Sequence, residues 1–315
     1  MQWQQAFIWL CKRRRHASSN DDVWHLRFRW EEQGNALLEQ VLAGKYRLAP
    51  MRCIGRGERR YPVWSAEDAL ILKWLALRLV AWLPVHPRCA HVKGHGGVSG
   101  AQRAAQQAVT EHTGGFVLRT DIQGYYQHIR RDALLALFRR YVSDPICHEL
   151  LQQFVHYCVE DGGLFHHPQG GLPRGSPLSP LIGAALLTEL DSQISALPGL
   201  WYLRFMDDFL LMTTRRWPLR RAIRLLMQNL AKEGFSRHPD KTQIGRLERG
   251  FDWLGLEYTG THWQVGPRAL QRYRQRCDEH YGRARRSGLS IREAYARVNL
   301  YQQRWRAWLL RCVTT

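Results

Sequence analysis

Acidic residues are scarce in this 315-residue chain: 27 Asp and Glu stand against 46 Lys and Arg, a formal net charge of +19. An excess of that size argues against a cationic partner and for a polyanionic one, with nucleic acid ahead of a membrane surface. Paired cysteines are missing too. The 7 cysteines are scattered, none sits in a Cys-x-x-Cys pair, and an odd number cannot pair completely, which argues against a disulfide framework and for a reducing compartment. Nor is there a long apolar run. The longest, Ala69 to Leu83, is interrupted by Lys73 and Arg78 and stopped by Pro84, too short and too charged to span a bilayer. The apolar stretch Phe7 to Cys11 precedes the basic run Lys12 to Arg15, the reverse of a secretory signal. The expectation is a soluble, cytoplasmic protein with no membrane partner. Arginine is what the chain has in plenty, accompanied by 13 Trp and 12 Tyr. Guanidinium forks match phosphate oxygens and rings stack on bases, although many of the tryptophans must be core.

The length suits two or three compact lobes, and no internal repeat or low-complexity linker is evident. Ser65-Ala66-Glu67-Asp68 resembles a capping box opening a helix to about Leu83. His86 to Gly100, rich in Pro, His and Gly, reads as a loop, and a short helix follows from Ala101. Gly115 to Asp121 reads as a buried strand ending on an acid. Helices are expected over 132–141, 145–160 and 220–233, and from Leu181 to Ile194 after the Gly- and Pro-rich loop 170–180. Short strands are expected around 243–246 and 251–259, and the chain is helical and Arg-rich from Arg268 onward. Helices mixed with hairpin-linked strands imply an α+β fold, not a doubly wound sheet.

Asp207 and Asp208 lie inside the run Leu203-Arg204-Phe205-Met206-Asp207-Asp208-Phe209-Leu210-Leu211-Met212. Apolar, strand-prone residues on both sides put the acids at a hairpin tip. Crowding two carboxylates is costly unless a cation neutralises them, but a solvated turn is an equally ordinary place for Asp. If the strand ending at Asp121 neighbours this hairpin, three carboxylates converge at one sheet edge. Such a cluster can hold two divalent cations for phosphoryl transfer, Mg²⁺ by preference for hard oxygens and Mn²⁺ as a substitute. Cys89, His91 and His95, with His86 nearby, form a weaker candidate zinc cluster of irregular spacing.

Four segments, in order, resemble the reverse transcriptases of bacterial retroelements, especially the group II intron-like branch. They are Asp121 to Ile129 (DIQGYYQHI), Gly171 to Pro180 (GLPRGSPLSP), Phe205-Met206-Asp207-Asp208, and Phe235 to Thr242 followed by Phe251-Asp252-Trp253-Leu254-Gly255. The resemblance covers roughly residues 45–260. It implies a right-hand polymerase, with an N-terminal extension and fingers over 1–115, a palm of antiparallel sheet and helices over 116–262, and a helical thumb over 263–315. It makes Asp121 and Asp207 the principal metal ligands, Asp208 a supporting carboxylate, and Lys241 an aid to the leaving pyrophosphate. Tyr126 becomes the ring that excludes a ribose 2′-hydroxyl, and Arg174, Gly175 and Ser176 the loop that meets the nucleotide. Arg56, Arg59 and Arg60 fall where the fingers grip the triphosphate, and Lys93 and His95 in a further fingers element near the template. Two departures stand out: Arg174 occupies the place of a common Gln, and Phe205 that of a common Tyr.

Arg297, Arg304 and Arg311 recur every seven residues on one stripe of a helix, beside Tyr301, Trp305 and Trp308. The arginines are candidates for phosphate contacts, and the rings either stack on nucleic acid or pack inward. The implied function is RNA-directed DNA synthesis from a primer 3′-hydroxyl with deoxynucleotides. The implied partners are an RNA template, a DNA or RNA primer and, as a further candidate, a dedicated non-coding RNA. With little chain past the thumb, a stand-alone enzyme of a retroelement or an antiphage defence system is expected, ahead of a mobile intron protein. Template-independent or protein-primed synthesis, and a catalytically silent RNA-binding partner, are the alternatives.

Overall fold

The protein was analysed as a computed structural model, which describes residues 1–55, 57 and 60–313. Arg56 and Arg59, expected at the triphosphate, lie outside the described residues. The strands are β1 (Met51–Ile54), β2 (Tyr61–Val63), β3 (Phe116–Asp121), β4 (Val159–Asp161), β5 (Leu164–His166) and β6 (Trp201–Phe205). They continue with β7 (Asp208–Thr213), β8 (Gln243–Arg246), β9 (Phe251–Trp253), β10 (Leu256–Tyr258) and β11 (Trp263–Val265). The chain folds as two compact units, one made of Met1–His86 and Gly124–Leu190, the other of Pro87–Gln123 and Asp191–Thr315.

The first unit packs helices around a small sheet of order β2-β1-β4-β5. Its central helix, Ala66–Leu79, begins at the expected capping box: the Ser65 hydroxyl accepts from Asp68 N at 3.0 Å. Leu70, Ile71, Leu72, Leu75 and Leu79 are all fully buried, so most of this helix is covered, with Glu67 left exposed. Three N-terminal helices, Gln2–Arg13, Asp22–Phe28 and Trp30–Leu42, pack nearby. Trp3 of the first donates to Gly34 O at 3.0 Å. The loop after β5 docks on the turn around Tyr126, with Leu172 N donating to Tyr126 O at 2.7 Å and Gly171 N to Ile129 O at 2.8 Å. Gly171 has φ 79°, and a Cβ there would lie 2.8 Å from Tyr126 O. Only glycine suits that approach.

The second unit holds two sheets, of order β6-β7-β3-β8 and β11-β10-β9. In the larger, β3 runs antiparallel to β7 with Phe116 opposite Thr213 and Asp121 opposite Asp208. Side chains alternate across a strand. One face therefore carries Val117, Arg119, Asp121, Leu203, Leu210 and Met212. Its apolar members join Ala101, Ala105 and Ala108 of the helix Gly97–Glu111, with Phe251 and Trp253, in one buried cluster. The opposite face meets the helix Arg216–Lys232, whose Leu219, Ala222, Leu226 and Leu230 are buried. Gly115 leads into β3, and a Cβ there would lie 2.4 Å from Thr213 O and 2.7 Å from His112 O, so glycine is the residue that fits.

Candidate catalytic edge

The β3/β7 register sets the site. Cross-strand partners project to the same face, so pairing Asp121 with Asp208 brings together two carboxylates far apart in sequence. Asp207 follows at the tip of the β6–β7 hairpin, where Phe205 pairs with Asp208 across a two-residue turn, Met206-Asp207. Met206 takes φ 57°, a left-handed conformation that costs a side-chain-bearing residue energy and survives only where its surroundings enforce it. Those surroundings are hydrogen bonds: Met206 N donates to His91 Nδ1 at 2.9 Å, and Arg204 Nη1 donates to Met206 O at 2.7 Å. Asp207 O accepts from Ile122 N at 3.2 Å. The tip is thereby clamped on the strand end that carries Asp121.

Behind the tip, Arg204 is fully buried and pairs with Asp191, itself fully buried, on the helix Thr188–Ser195. Arg204 Nε donates to Asp191 Oδ1 at 2.7 Å, and the Tyr202 hydroxyl shares that oxygen. Burial pushes the Tyr202 hydroxyl well above its usual range, so it stays protonated and donates. A buried fork of this kind is costly to desolvate and fixes geometry well.

The acids are crowded. Burial first, then repulsion from Asp121, pushes Asp207 up to about 6. Asp208 is pushed up to about 7, chiefly by burial, with Arg119 pulling the other way and the two neighbouring acids adding to the rise. Two protein cations partly compensate. Lys241 Nζ donates to Asp121 Oδ2 at 2.6 Å from the 3₁₀ turn Pro239–Lys241. The buried Arg119 places Nη2 2.8 Å from Asp208 Oδ1 and 3.6 Å from Asp252 Oδ2. Among the described residues, no three His, Cys, Asp or Glu side chains form a ready metal-holding group; Asp208 is committed to Arg119, and Asp121 and Asp207 are the mutually repelling pair.

The other expected residues fall as follows. Cys89, His91 and His95 make no metal group among the described residues. Cys89 Sγ lies 3.4 Å from His91 Nδ1, and His95 Nδ1 lies 3.0 Å from Cys89 O. This loop belongs to the hairpin: Ala90 N donates to Arg204 O at 2.8 Å and Arg204 N to Arg88 O at 2.9 Å. Lys93 on it is exposed. Arg60 forms an ion pair with Asp161 of β4, within its own sheet. Tyr126 is half-buried, with its ring 5.4 Å from that of Tyr125. Gly183 leaves room for both rings, since a Cβ there would lie 3.1 Å from one and 3.2 Å from the other. In the Gly171–Pro180 loop, Arg174 and Gly175 are exposed, but Ser176 is buried and its hydroxyl accepts from Leu178 N at 3.2 Å. Ser176 therefore braces the loop with its side chain, leaving its neighbours to face outward.

In the C-terminal helices Pro267–Arg286 and Ile291–Val313, the aromatic stripe packs inward. Tyr273 stacks on Trp305 at 4.2 Å, and Tyr301 lies 5.9 Å from Tyr273. Arg297, Arg304 and Arg311 stay exposed. Gln106 Nε2 donates to Cys312 O at 2.6 Å, which ties the last helix to the helix Gly97–Glu111. Sequence reading missed His91, Arg204, Asp191 and Arg119 as supports of the acids. The available signal was an arginine in each of two otherwise apolar strands leading to the acids, Arg119 on β3 before Asp121 and Arg204 on β6 before the Met206-Asp207 tip.

Comparison with known proteins matches this arrangement to one family. The family model described as reverse transcriptase (RNA-dependent DNA polymerase) matches residues 85–258. The chain is 27% identical over 194 residues to the retron Mx162 reverse transcriptase of Myxococcus xanthus, covering 55% of this chain and 39% of that protein. It is 23% identical over 266 residues to protein YkfC of Escherichia coli K12, covering 70% of this chain and 69% of the other. Among solved structures, telomerase from Candida albicans in complex with a fragment of telomeric RNA aligns with a TM-score of 0.51 at 14% identity. That alignment covers 76% of this chain and 50% of the telomerase chain, and it is a likeness of fold, the right-hand polymerase class. No helix among the described residues is long and apolar enough to cross a membrane.

Proposed function

Because the chain belongs to the reverse transcriptase (RNA-dependent DNA polymerase) family, we propose that it synthesises DNA on an RNA template, extending a primer 3′-hydroxyl with deoxynucleotides. The observation that carries this reading is the Asp121–Asp208 register with Asp207 clamped at the adjoining tip. The β6-β7-β3-β8 sheet would serve as the palm within 116–262, the paired C-terminal helices as the thumb from 263, and the N-terminal part, 1–115, as extension and fingers.

Asp121 and Asp207 are hard-oxygen donors, with Asp207 lifted to about 6 first by burial and then by repulsion from Asp121, a donor set suited to Mg²⁺, with Mn²⁺ as a substitute. Two bound ions would supply charge neutralisation for phosphoryl transfer. Asp208 would support them from its pair with Arg119. Lys241, at hydrogen-bond distance from Asp121, carries a proton on Nζ that can be given to the departing pyrophosphate oxygen. Tyr126 would stand under the sugar and exclude a 2′-hydroxyl, with Arg174 and Gly175 presenting side chain and backbone to the incoming nucleotide. Arg60, Lys93, His95, Arg297, Arg304 and Arg311 would contact triphosphate or nucleic-acid backbone. A role in a retroelement or in antiphage defence, with a dedicated non-coding RNA, fits a chain of this kind.

The test is primer extension on a defined RNA template with Mg²⁺, comparing deoxynucleotides with ribonucleotides, and wild type with the variant carrying both Asp207→Ala and Asp208→Ala. Template-length DNA from wild type alone is expected. Equal product from the double variant would overturn the assignment of the acids.

A further inference from the structure

The helix Arg216–Lys232 has two unlike sides. Its inner side is spent on the core through Leu219, Ala222, Leu226 and Leu230. Its outer side carries Arg216, Arg220 and Arg224, spaced four apart on one stripe, beside Trp217 and Arg221 on the next. All five are exposed, Trp217 to 74%. An indole left this exposed is unusual, because burying it would contribute more than almost any other side chain. The Arg220 guanidinium lies 5.2 Å from the Trp217 ring. Leu197, Pro198, Pro218 and Ile223 join Trp217, Arg220, Arg221 and Arg224 around an open groove of about 800 Å³.

The charge there is uncompensated. Ion pairs elsewhere in the chain engage Arg14, Arg60, Arg78, Arg119, Arg130 and Arg204. Among the described residues, no Asp or Glu forms an ion pair with Arg215, Arg216, Arg220, Arg221 or Arg224. The helix itself contains no acid. The pattern continues onto the sheet: the Arg216 guanidinium lies 6.0 Å from the Phe116 ring and that of Arg246 lies 5.6 Å from it. Arginine and ring therefore alternate from β8 across Phe116 to Trp217.

This surface is not the catalytic edge. Phe116 and Asp121 are the opposite ends of β3, roughly 17 Å apart along an extended strand, and the helix packs on the sheet face opposite that of the acids. A nucleotide whose phosphate is held here is therefore not the one that reacts at Asp121.

From these observations we infer that this face is a second RNA-binding surface. It takes a single-stranded segment outside the template–primer path, with phosphates on Arg216, Arg220, Arg221 and Arg224 and an unstacked base on Trp217. Guanidinium forks and an exposed ring are the two components of sequence-tolerant single-strand binding. An anionic membrane is the lesser fit: an interfacial helix needs an apolar face to insert, and here that face is buried in the core.

The test uses the full chain and a single-stranded RNA 20-mer containing 4-thiouridine. After ultraviolet crosslinking, digestion and mass spectrometry should map adducts to the peptide carrying Trp217. Direct titration of the variant carrying Arg220→Gln, Arg221→Gln and Arg224→Gln should show RNA binding weakened about ten-fold or more. The dependence of log affinity on log salt should become shallower by about 2, from three lost phosphate contacts. Trp217→Ala should lose the crosslink, and Trp217→Phe should keep it. Extension of a short preformed primer–template should be unchanged in all of these variants, which also reports that they fold. Binding unchanged in the triple variant, adducts confined to other peptides, or binding only to phosphatidylglycerol vesicles would overturn the inference. None of the binding measurements requires polymerisation, so they stand apart from the test of the proposed activity.

Discussion

Lys241 Nζ sits 2.6 Å from Asp121 Oδ2, so a protein ammonium occupies the charge environment of the strand-end carboxylate. Asp121 is almost fully buried, whereas Lys241 is about a third exposed, and the pair is worth more to the acid than to the lysine. Lys241→Ala should lower metal-free stability by about 1–2 kcal/mol, less than a fully buried pair because solvent screens the lysine. It should also lower kcat about ten-fold or more with little change in KM for the deoxynucleotide. Thermal melts with chelator and steady-state extension check the two parts. A rise in KM with kcat unchanged would assign Lys241 to ground-state binding.

Asp207 titrates at about 6 in the folded chain, above its ordinary value of 3.8. The native state therefore holds an extra proton between those values, and metal-free stability falls as pH rises through that window. Asp208, at about 7, extends the fall upward. Asp207→Asn should raise the Tm in chelator at pH 8, give no advantage at pH 4, and abolish extension. Melts of wild type and variant across pH 4 to 8 decide this; a variant less stable than wild type at pH 8 would contradict the crowding described above.

Met206 depends on His91 for its backbone. His91→Ala should reduce kcat while barely moving Tm, because one hydrogen bond is lost at a half-exposed tip, about 1 kcal/mol. Met206→Gly adopts φ 57° freely, so adding it to His91→Ala should recover part of the lost rate. Stopped-time primer extension on the two single variants and the pair measures this.

Arg204 and Asp191 should be strongly non-additive. Arg204→Met or Asp191→Asn alone leaves a buried charge unpaired and should cost about 3–5 kcal/mol. The double variant should cost less than the sum by more than about 1 kcal/mol. Denaturant melts of the four proteins close the cycle, and simple additivity would mean that the pair is not the unit described.

Tyr126→Val should raise ribonucleotide use relative to deoxynucleotide by about ten-fold or more in kcat/KM. Competition assays with both nucleotides in one tube report the ratio, and an unchanged ratio would remove Tyr126 from sugar selection.

Much of the fold was legible because alternation and turn chemistry are local. The strand at 116–121, the helix from Ser65 and the strand at 243–246 fall where expected. The expected strand at 251–259 divides into β9 and β10 at Leu254-Gly255, both at positive φ. The hairpin β4–β5 was hidden: its strands are three residues long and β5 is exposed throughout, so no apolar alternation marks them. The expected helix over 145–160 therefore stops at Val155. The ordered acid-bearing segments made the site visible, whereas its supports were not. His91 looked like part of a cysteine–histidine cluster because spacing cannot reveal that its ring accepts from Met206 N, 115 positions away. Arg204 and Asp191 show the same limit, since a buried ion pair is a property of two elements meeting.

Gly115 carries one last consequence, for heredity rather than mechanism. With Thr213 O and His112 O filling the space where a Cβ would go, any coding change at this codon that specifies another residue must move the backbone that begins β3. In a randomised population selected for function, position 115 should keep its glycine while exposed neighbours such as Thr110 drift. The start of the acid-bearing strand is thus guarded by a residue with no side chain, and a census of surviving sequences would reveal it before any catalytic assay.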